Sequence, residues 1–204
     1  MTKRRGALIV VSAPSGAGKT TLCREARLRL PDLAYSVSYT TRAPRPGEIE
    51  GTDFVFVTEA HFRELQAGGE FAEWATVHGN LYGTRASVLE AALREGHDIL
   101  LDIDTQGAAQ LRRRYPEAVL VFIVAPSMKE LAQRLRERRS DAASDIARRL
   151  GRAREEIKLW RNYDYLVVNR DLKEAAEHLT AIITAERCRT ARLTLDIPDL
   201  EVSE

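Results

Sequence analysis

Residues 7 to 21 run Ala-Leu-Ile-Val-Val-Ser-Ala-Pro-Ser-Gly-Ala-Gly-Lys-Thr-Thr: an apolar run breaks into small residues and then into Lys-Thr-Thr. Few architectures accept that order. Leu8 to Val11 are continuously apolar, as a strand buried on both faces requires. Ser12 to Gly18 lack bulky side chains, and Lys19-Thr20 open a stretch of helical character. Strand, small-residue loop and helix together describe a phosphate-binding loop. Its backbone N–H groups and those of the first helical turn converge on phosphate oxygens, where the helix dipole also favours negative charge. The cradle runs from Ala13, where the general pattern G-x-x-x-x-G-K-[ST] has glycine, through Pro14, Ser15, Gly16, Ala17 and Gly18 to Lys19, Thr20 and Thr21. Alanine is small enough to keep the loop unless that position needs positive φ. Lys19 can reach the terminal phosphates and Thr20 can hold Mg²⁺. The plain alternative, an ordinary strand–turn–helix with a chance Gly-Lys-Thr, fits poorly with the buried strand before it and the periodic helix after it. The chain is therefore expected to bind a nucleoside triphosphate.

Length and charge agree. A chain of 204 residues suits one domain with small insertions. Its net charge of +1 offers no broad electrostatic case for nucleic acid or membrane. Cys23 and Cys188 are too few and too far apart for a disulfide framework or a recognisable metal motif, so both read as reduced thiols of a cytoplasmic protein. No stretch is long and apolar enough to cross a bilayer, and Met1 to Arg5 lead into a strand, not a signal peptide.

In chain order, the helix after the loop carries Leu22, Ala26 and Leu30 on one side and stops at Pro31. Leu33 to Tyr39 is expected as a short strand. Thr40 to Glu48 is too rich in Pro and Gly for a core element. Arg42 and Arg45, three apart in a loop stiffened by prolines, suit the clamping of an anion; a solvated basic turn fits the composition equally well. Phe54 to Val57 reads as a strand, and Thr58 as the cap of a helix carrying Phe62 and Leu65 that ends at Gly68-Gly69. Phe71 to Trp74 is a further strand with Glu73 among aromatics, and Gly79 to Thr84 is expected to turn into a helix with Val88, Leu89 and Ala92 inside. The strand-rich region from about Ser36 to Arg94 thus interrupts two α/β units, a usual place for a second substrate's site.

Ile99 to Asp104 is a second buried strand ending in carboxylates. Beside a phosphate loop such an end handles Mg²⁺ directly or through water, with Asp102 the candidate. A helix from Gln106 to Arg114 and a buried strand from Val119 to Val124 follow, the three arginines at 112 to 114 reading as a solvated helix end. Ser127-Met128-Lys129-Glu130 is a capping box, and the helix it starts carries Arg134 and Arg138 on one face. Arg139 to Ala143 interrupt it before a second helix bearing Arg148, Arg149, Arg152 and Arg154. Two arginine-bearing helices joined by a polar loop suit a lid over phosphates. Arg136, Arg139, Arg148 and Arg152 read instead as surface residues. Leu166 to Val168 is a fourth buried strand ending at Asn169, Glu174 to Arg189 a closing helix, and the tail beyond Leu193 is frayed.

Ser-Ala-Pro-Ser-Gly-Ala-Gly-Lys at 12 to 19 resembles the nucleotide loop of guanylate kinases, and Ser-Val-Ser-Tyr-Thr-Thr-Arg-Ala-Pro-Arg-Pro-Gly-Glu at 36 to 48 resembles the family's signature segment. Phe-Ala-Glu-Trp at 71 to 74, Gly-Asn-Leu-Tyr-Gly-Thr at 79 to 84 and Leu-Asp-Ile-Asp-Thr-Gln-Gly at 101 to 107 fall in the family's order, and the similarity runs from about Gly6 to Arg187. The resemblance implies an α/β protein with a P-loop NTPase-type parallel sheet flanked by helices (residues 1–35, 95–127 and 155–204), a GMP-binding insertion (36–94) and a helical lid (128–154). It implies transfer of the γ-phosphoryl group of ATP, with Mg²⁺, to GMP and also dGMP. By the same resemblance Ser38 and Thr84 would meet the guanine 6-oxo group, and Glu73 the ring N–H and 2-amino group with Asp104 near that edge. Arg42, Arg45 and Tyr82 would hold the GMP phosphate; Lys19, Arg134 and Arg138 the ATP phosphates; Arg149 the transferring group; Asn169 would lie near the adenine. ATP and GMP are the expected partners, and monomer and homodimer stay open.

Three positions depart from the family pattern: Phe54 replaces Tyr in the GMP-phosphate site, Arg139 a frequent Gly, and Arg170 a usual Asp. Losing the tyrosine hydroxyl removes a hydrogen bond to an anion, worth about 1.5–3 kcal/mol unless something substitutes. Two rival readings remain, a non-catalytic guanylate-kinase-like protein-binding module and a P-loop kinase for a sugar phosphate. The first leaves Lys19 without purpose, the second Glu73 and Ser38.

Overall fold

The computed structural model describes residues 3–77, 79–137 and 143–195. In chain order the elements are β1 (Lys3–Arg4), β2 (Leu8–Ser12), α1 (Lys19–Arg29), β3 (Ala34–Tyr35), β4 (Ser38–Thr40), β5 (Phe54–Phe56), α2 (Glu59–Ala67), β6 (Phe71–Val77) and β7 (Asn80–Arg85). There follow α3 (Ala86–Arg94), β8 (Ile99–Asp102), α4 (Thr105–Arg114), β9 (Val119–Val124), α5 (Met128–Glu137), α6 (Ala143–Lys158), β10 (Tyr165–Val168), α7 (Leu172–Arg187) and β11 (Leu193–Thr194). β2, β8 and β9 are the near-continuous apolar runs, and they form the middle of a five-stranded parallel sheet ordered β10-β9-β2-β8-β3. Helices on both faces bury them, as parallel sheets require. One face packs Ile9, Val11, Val121 and Ile123 against Leu22, Ala26, Leu179 and Ile183. The other packs Val10, Leu101 and Leu120 against Leu89, Leu93, Ala108 and Leu111.

The insertion folds as its own four-stranded sheet, ordered β5-β4-β7-β6, over a core of Phe62, Leu65, Phe71 and Leu81. Helix α4 helps link it to the main sheet. Gln110 Nε2 donates to the Trp74 carbonyl at 2.7 Å and its Oε1 accepts from the Trp74 amide at 3.2 Å, while Arg114 donates to the Phe71 carbonyl at 3.0 Å. Arg112 is likewise tied, to the carbonyls of Pro116 and Ala118 and to Asp164. Two of the three arginines read as a solvated end are therefore fasteners.

Several sequence expectations need correction. Leu33 to Tyr39 is not one strand: the Ser36 amide makes the last bond to β8, and Ser38 already pairs in the other sheet. The chain changes sheets there. The helix expected after Gly79 to Thr84 is there, with Leu89 buried but Val88 47% exposed, and a strand, β7, stands where the turn into it was expected. Gly79, at φ 81, closes the turn of a β6–β7 hairpin, and the helix waits until Ala86. Period-two burial of Leu81 and Gly83 drives this, with Gly83 lying against Phe62 and Phe71. β10 is an edge strand, so only Val167 is buried and Leu166 and Val168 stay 44% exposed. Of the tail expected to be frayed, Leu193 and Thr194 form β11 and pair antiparallel with β1, and residues 196–204 lie outside the described residues. Asp98 helps hold the start and end of the chain, accepting from Arg4, from the Ala7 amide at 2.9 Å and from Arg187 Nε at 2.7 Å. Arg138, Arg139 and most of the expected interruption lie outside the described residues.

Candidate active site

Parallel register sets Val11 opposite both Asp102 and Val121, so the loop after β2 and the end of β8 emerge side by side. They do so at the carboxyl ends of the strands, where open α/β sheets bind ligands. Gly18 begins α1 in a left-handed conformation, φ 92, that only glycine takes at ease. A Cβ there would stand 2.4 Å from Asn169 Nδ2. That buried amide donates to the Ala17 carbonyl at 2.8 Å, so the side chain of Asn169 buttresses the phosphate loop. Lys19 Nζ donates to the Ile103 carbonyl at 2.7 Å and pairs with Asp102 at 2.5 Å, and Thr20 donates to the other Asp102 oxygen at 3.0 Å. One carboxylate thus organises the lysine and the hydroxyl at the loop's mouth. Ala13, Pro14, Ser15 and Gly16 line this cleft; Ala17 is buried beneath it, and Thr21 follows Thr20 in the first helical turn.

Glu73 is buried at 4% exposure. The β6–β7 register shifts between Phe71 and Glu73, which sets Glu73 opposite Thr84. Such a bulge re-aims a side chain. Thr84 Oγ1 donates to Glu73 Oε1 at 2.6 Å. Burial pushes the carboxyl up to about 7, with the charge of Asp104 adding to it and the Thr84 hydroxyl and Lys19 opposing. Asp104 caps α4, accepting from the Gly107 amide at 2.9 Å. Glycine at 107 leaves room for Glu73 where it stands, since a Cβ there would lie 2.3 Å from Glu73 Oε2.

A neighbouring cleft of about 380 Å³ holds Ser38, Arg42, Arg45, Phe54 and Tyr82 beside Thr20 and Asp102. Arg42 is fixed from three sides. Its Nε donates to the Tyr82 hydroxyl at 3.2 Å, its Nη2 to both oxygens of Glu48 at 2.8 and 2.9 Å, and its guanidinium lies 5.2 Å over the Phe54 ring. Glu48 also accepts from the Arg45 amide at 2.7 Å, and Arg42 holds the Glu48 carboxyl below its ordinary range. A solvated turn would not be tied this way. Phe54, the departure from the family pattern, meets the guanidinium with its ring face, an attraction of about 0.5–2 kcal/mol.

From the lid region, Arg134 donates to the Asn169 carbonyl at 2.9 Å and pairs with Glu130, while the Glu130 amide donates to Ser127. Arg149 Nη2 donates to Ser15 Oγ at 2.7 Å, which brings α6 onto the phosphate loop. Arg138 lies outside the described residues. Arg152, read from sequence as a surface residue, lines the same cleft with Glu156 and Asp104. Sequence reasoning missed Glu48, Gly107 and Glu156. A glycine inside an otherwise ordinary helix was the one available signal for Gly107.

A family model described as guanylate kinase matches residues 5–186. A guanylate kinase of Syntrophotalea carbinolica is 54% identical over 94% of this chain and 91% of its own length. One from Geobacter sulfurreducens is 52% identical over 94% of each. The crystal structure of guanylate kinase from Anaplasma phagocytophilum superposes with a TM-score of 0.80 at 38% identity, covering 95% of this chain and 92% of that one. A gluconokinase from Sinorhizobium meliloti, at 17% identity and a TM-score of 0.51, shares the fold alone.

Proposed function

The chain belongs to the guanylate kinase family, and from that premise we propose how its residues move the γ-phosphoryl group of ATP onto GMP, giving ADP and GDP. The observation that carries the proposal is the buried carboxylate of Glu73, fixed by Thr84 and standing within electrostatic reach of Lys19. Ionised, Glu73 accepts two hydrogen bonds, from the ring N–H and the 2-amino group of guanine. Ser38 donates to the 6-oxo group, Thr84 lies beside it with its hydroxyl proton on Glu73, and Asp104 lies beside that edge. Arg42, Arg45 and Tyr82 hold the acceptor phosphate, with Phe54 orienting Arg42. The phosphate loop from Ala13 to Thr21 holds ATP, and Asn169 supports that loop.

The acceptor oxygen is already ionised near neutral pH, so the reaction needs no side-chain base. It needs two anions brought together and the charge on the transferring group balanced, which positioned Lys and Arg achieve by preorganisation. We assign that work to Lys19, Arg134, Arg138 and Arg149. Thr20 and Asp102 offer hard oxygens at the loop's mouth, the donor set Mg²⁺ prefers when phosphates and water complete its shell. When bound there, Mg²⁺ neutralises charge on the nucleotide phosphates. Residues 36–94 serve as the acceptor-binding insertion and 128–154 as the lid. A cytoplasmic setting fits the two free thiols, Cys23 and Cys188; among the described residues no helix is long and apolar enough to cross a membrane.

A coupled assay offering GMP, AMP, CMP and UMP to MgATP tests the function. GMP should exceed each rival in kcat/KM by a factor on the order of 100 or more, because an analogue leaves the buried carboxylate unpaired. Comparable use of AMP would overturn the reading. Gly107→Ala supplies a second test. Alanine suits a helix better than glycine by about 1 kcal/mol, and the atom it meets is the end of a side chain that can swing aside. The variant should therefore fold normally and yet raise KM for GMP on the order of 10-fold, with KM for ATP held. An unchanged KM for GMP would show that the observed Glu73 position is not the one that binds base.

A further inference from the structure

Helix α6 carries two arginines one turn apart that reach opposite walls of the cleft. Arg149 bonds Ser15 of the phosphate loop. Arg152 is oriented by Glu156, whose Oε1 accepts from its Nε at 3.0 Å, and its Nη2 stands 3.9 Å from Asp104 Oδ2. That separation is too long for a hydrogen bond, but within the range in which partly desolvated charges attract. Asp104 in turn fixes the Gly107 amide, and Gly107 is the surface against which Glu73 rests. A chain of neighbouring groups, one ion pair and one hydrogen bond among them, therefore runs from the lid helix to the carboxylate proposed to read guanine.

We infer that Arg152 is a positioning residue: borne by the lid helix, it holds Asp104 in place and so makes the lid's seating and GMP binding depend on each other. The inference rests on the assignment of Glu73 and Asp104 to the guanine site. A small inward movement of α6 turns the 3.9 Å ion pair into a direct hydrogen bond, while Arg149 stays on the ATP loop. GMP binding should then favour the seated lid and a seated lid favour GMP, as linkage requires. A surface arginine would have neither effect.

Steady-state kinetics of Arg152→Gln and Arg152→Lys, alone and in an Asp104→Asn background, test this. Asparagine keeps the α4 cap but drops the charge. Arg152→Gln should raise KM for GMP about 5-fold or more, leave KM for ATP and the melting temperature unchanged, and be rescued in large part by Arg152→Lys. In the Asp104→Asn background the same substitution should change KM for GMP by less than about 2-fold, the non-additivity expected of partners. An unchanged KM for GMP in Arg152→Gln, or full additivity with Asp104→Asn, overturns the inference while the parent's GMP kinase activity stands. A parent protein that does not phosphorylate GMP removes the functional reading, and this inference with it.

Discussion

Glu73→Gln should lose most activity toward GMP while melting at a temperature no lower than the parent's at pH 8. The functional half follows from atom counting. A carboxylate presents two acceptors to the ring N–H and 2-amino group, whereas an amide presents one acceptor and a donor that clashes. AMP has an unprotonated ring nitrogen at that edge and no 2-amino group, so it gains where GMP loses, and the GMP/AMP ratio of kcat/KM should narrow by about 10-fold or more. The stability half follows from the sign of the pKa shift. Burial raises the folded carboxyl to about 7 from an ordinary 4.5, so the folded state binds more protons between those values. Stability contributed by this group is therefore lost as pH rises through that window, reaching on the order of 1–3 kcal/mol above pH 7. A neutral glutamine avoids that loss and still accepts from Thr84, 2.6 Å away in the parent. By the same shift, the parent's GMP/AMP preference should grow between pH 6 and pH 8, since only the ionised carboxylate accepts both bonds. The nucleotide phosphates titrate near pH 6 as well, but equally for both substrates, and the ratio removes their effect. A ratio unmoved by the substitution would show that Glu73 does not read the base.

The parts of this site legible in the sequence were those tied to local backbone chemistry. Leu8 to Lys19 announced a strand, a loop and a helix start because burial, small size and dipole each leave a mark on residue type. Thr58 as a cap was legible for the same reason, and its hydroxyl does accept from the His61 amide at 3.2 Å. Register left no such mark. Nothing local says that Val11 lies opposite Asp102, or that a bulge turns Glu73 toward Thr84. Leu166 and Val168 read as core because apolar runs fit buried strands, and only the strand order puts them on an edge. Glu48 and Glu156 were invisible because each acts on an arginine brought to it by the fold. The turn from Thr40 to Glu48 could be a clamp or a solvated loop until Glu48 was seen to hold Arg42 with both oxygens.

Lys19→Met should lower kcat by a factor of about 1,000 or more while the fold persists. Lys19 is the side chain the phosphate loop directs toward its own mouth, with its ammonium on the Ile103 carbonyl and on Asp102. A compact, flexible ammonium can follow charge as it shifts from the ATP oxygens to the transferring group, and interactions stronger in the transition state than in the ground state are those that raise kcat. Methionine keeps the length and apolar stem and removes only the charge, so KM for ATP should rise far less than kcat falls. The fold has reason to survive. Asp102 loses one partner but keeps the Thr20 hydroxyl at 3.0 Å, and its side chain retains some contact with water at 9% exposure. The expected loss of stability is therefore about 1–2 kcal/mol, well short of unfolding a domain of this size. Single-turnover measurements with saturating MgATP and GMP isolate the chemical step from product release. Near-normal single turnover in a variant whose melting curve matches the parent's would mean that this loop holds ATP without contributing to transfer, and the catalytic charge would have to be sought in the arginines of the lid.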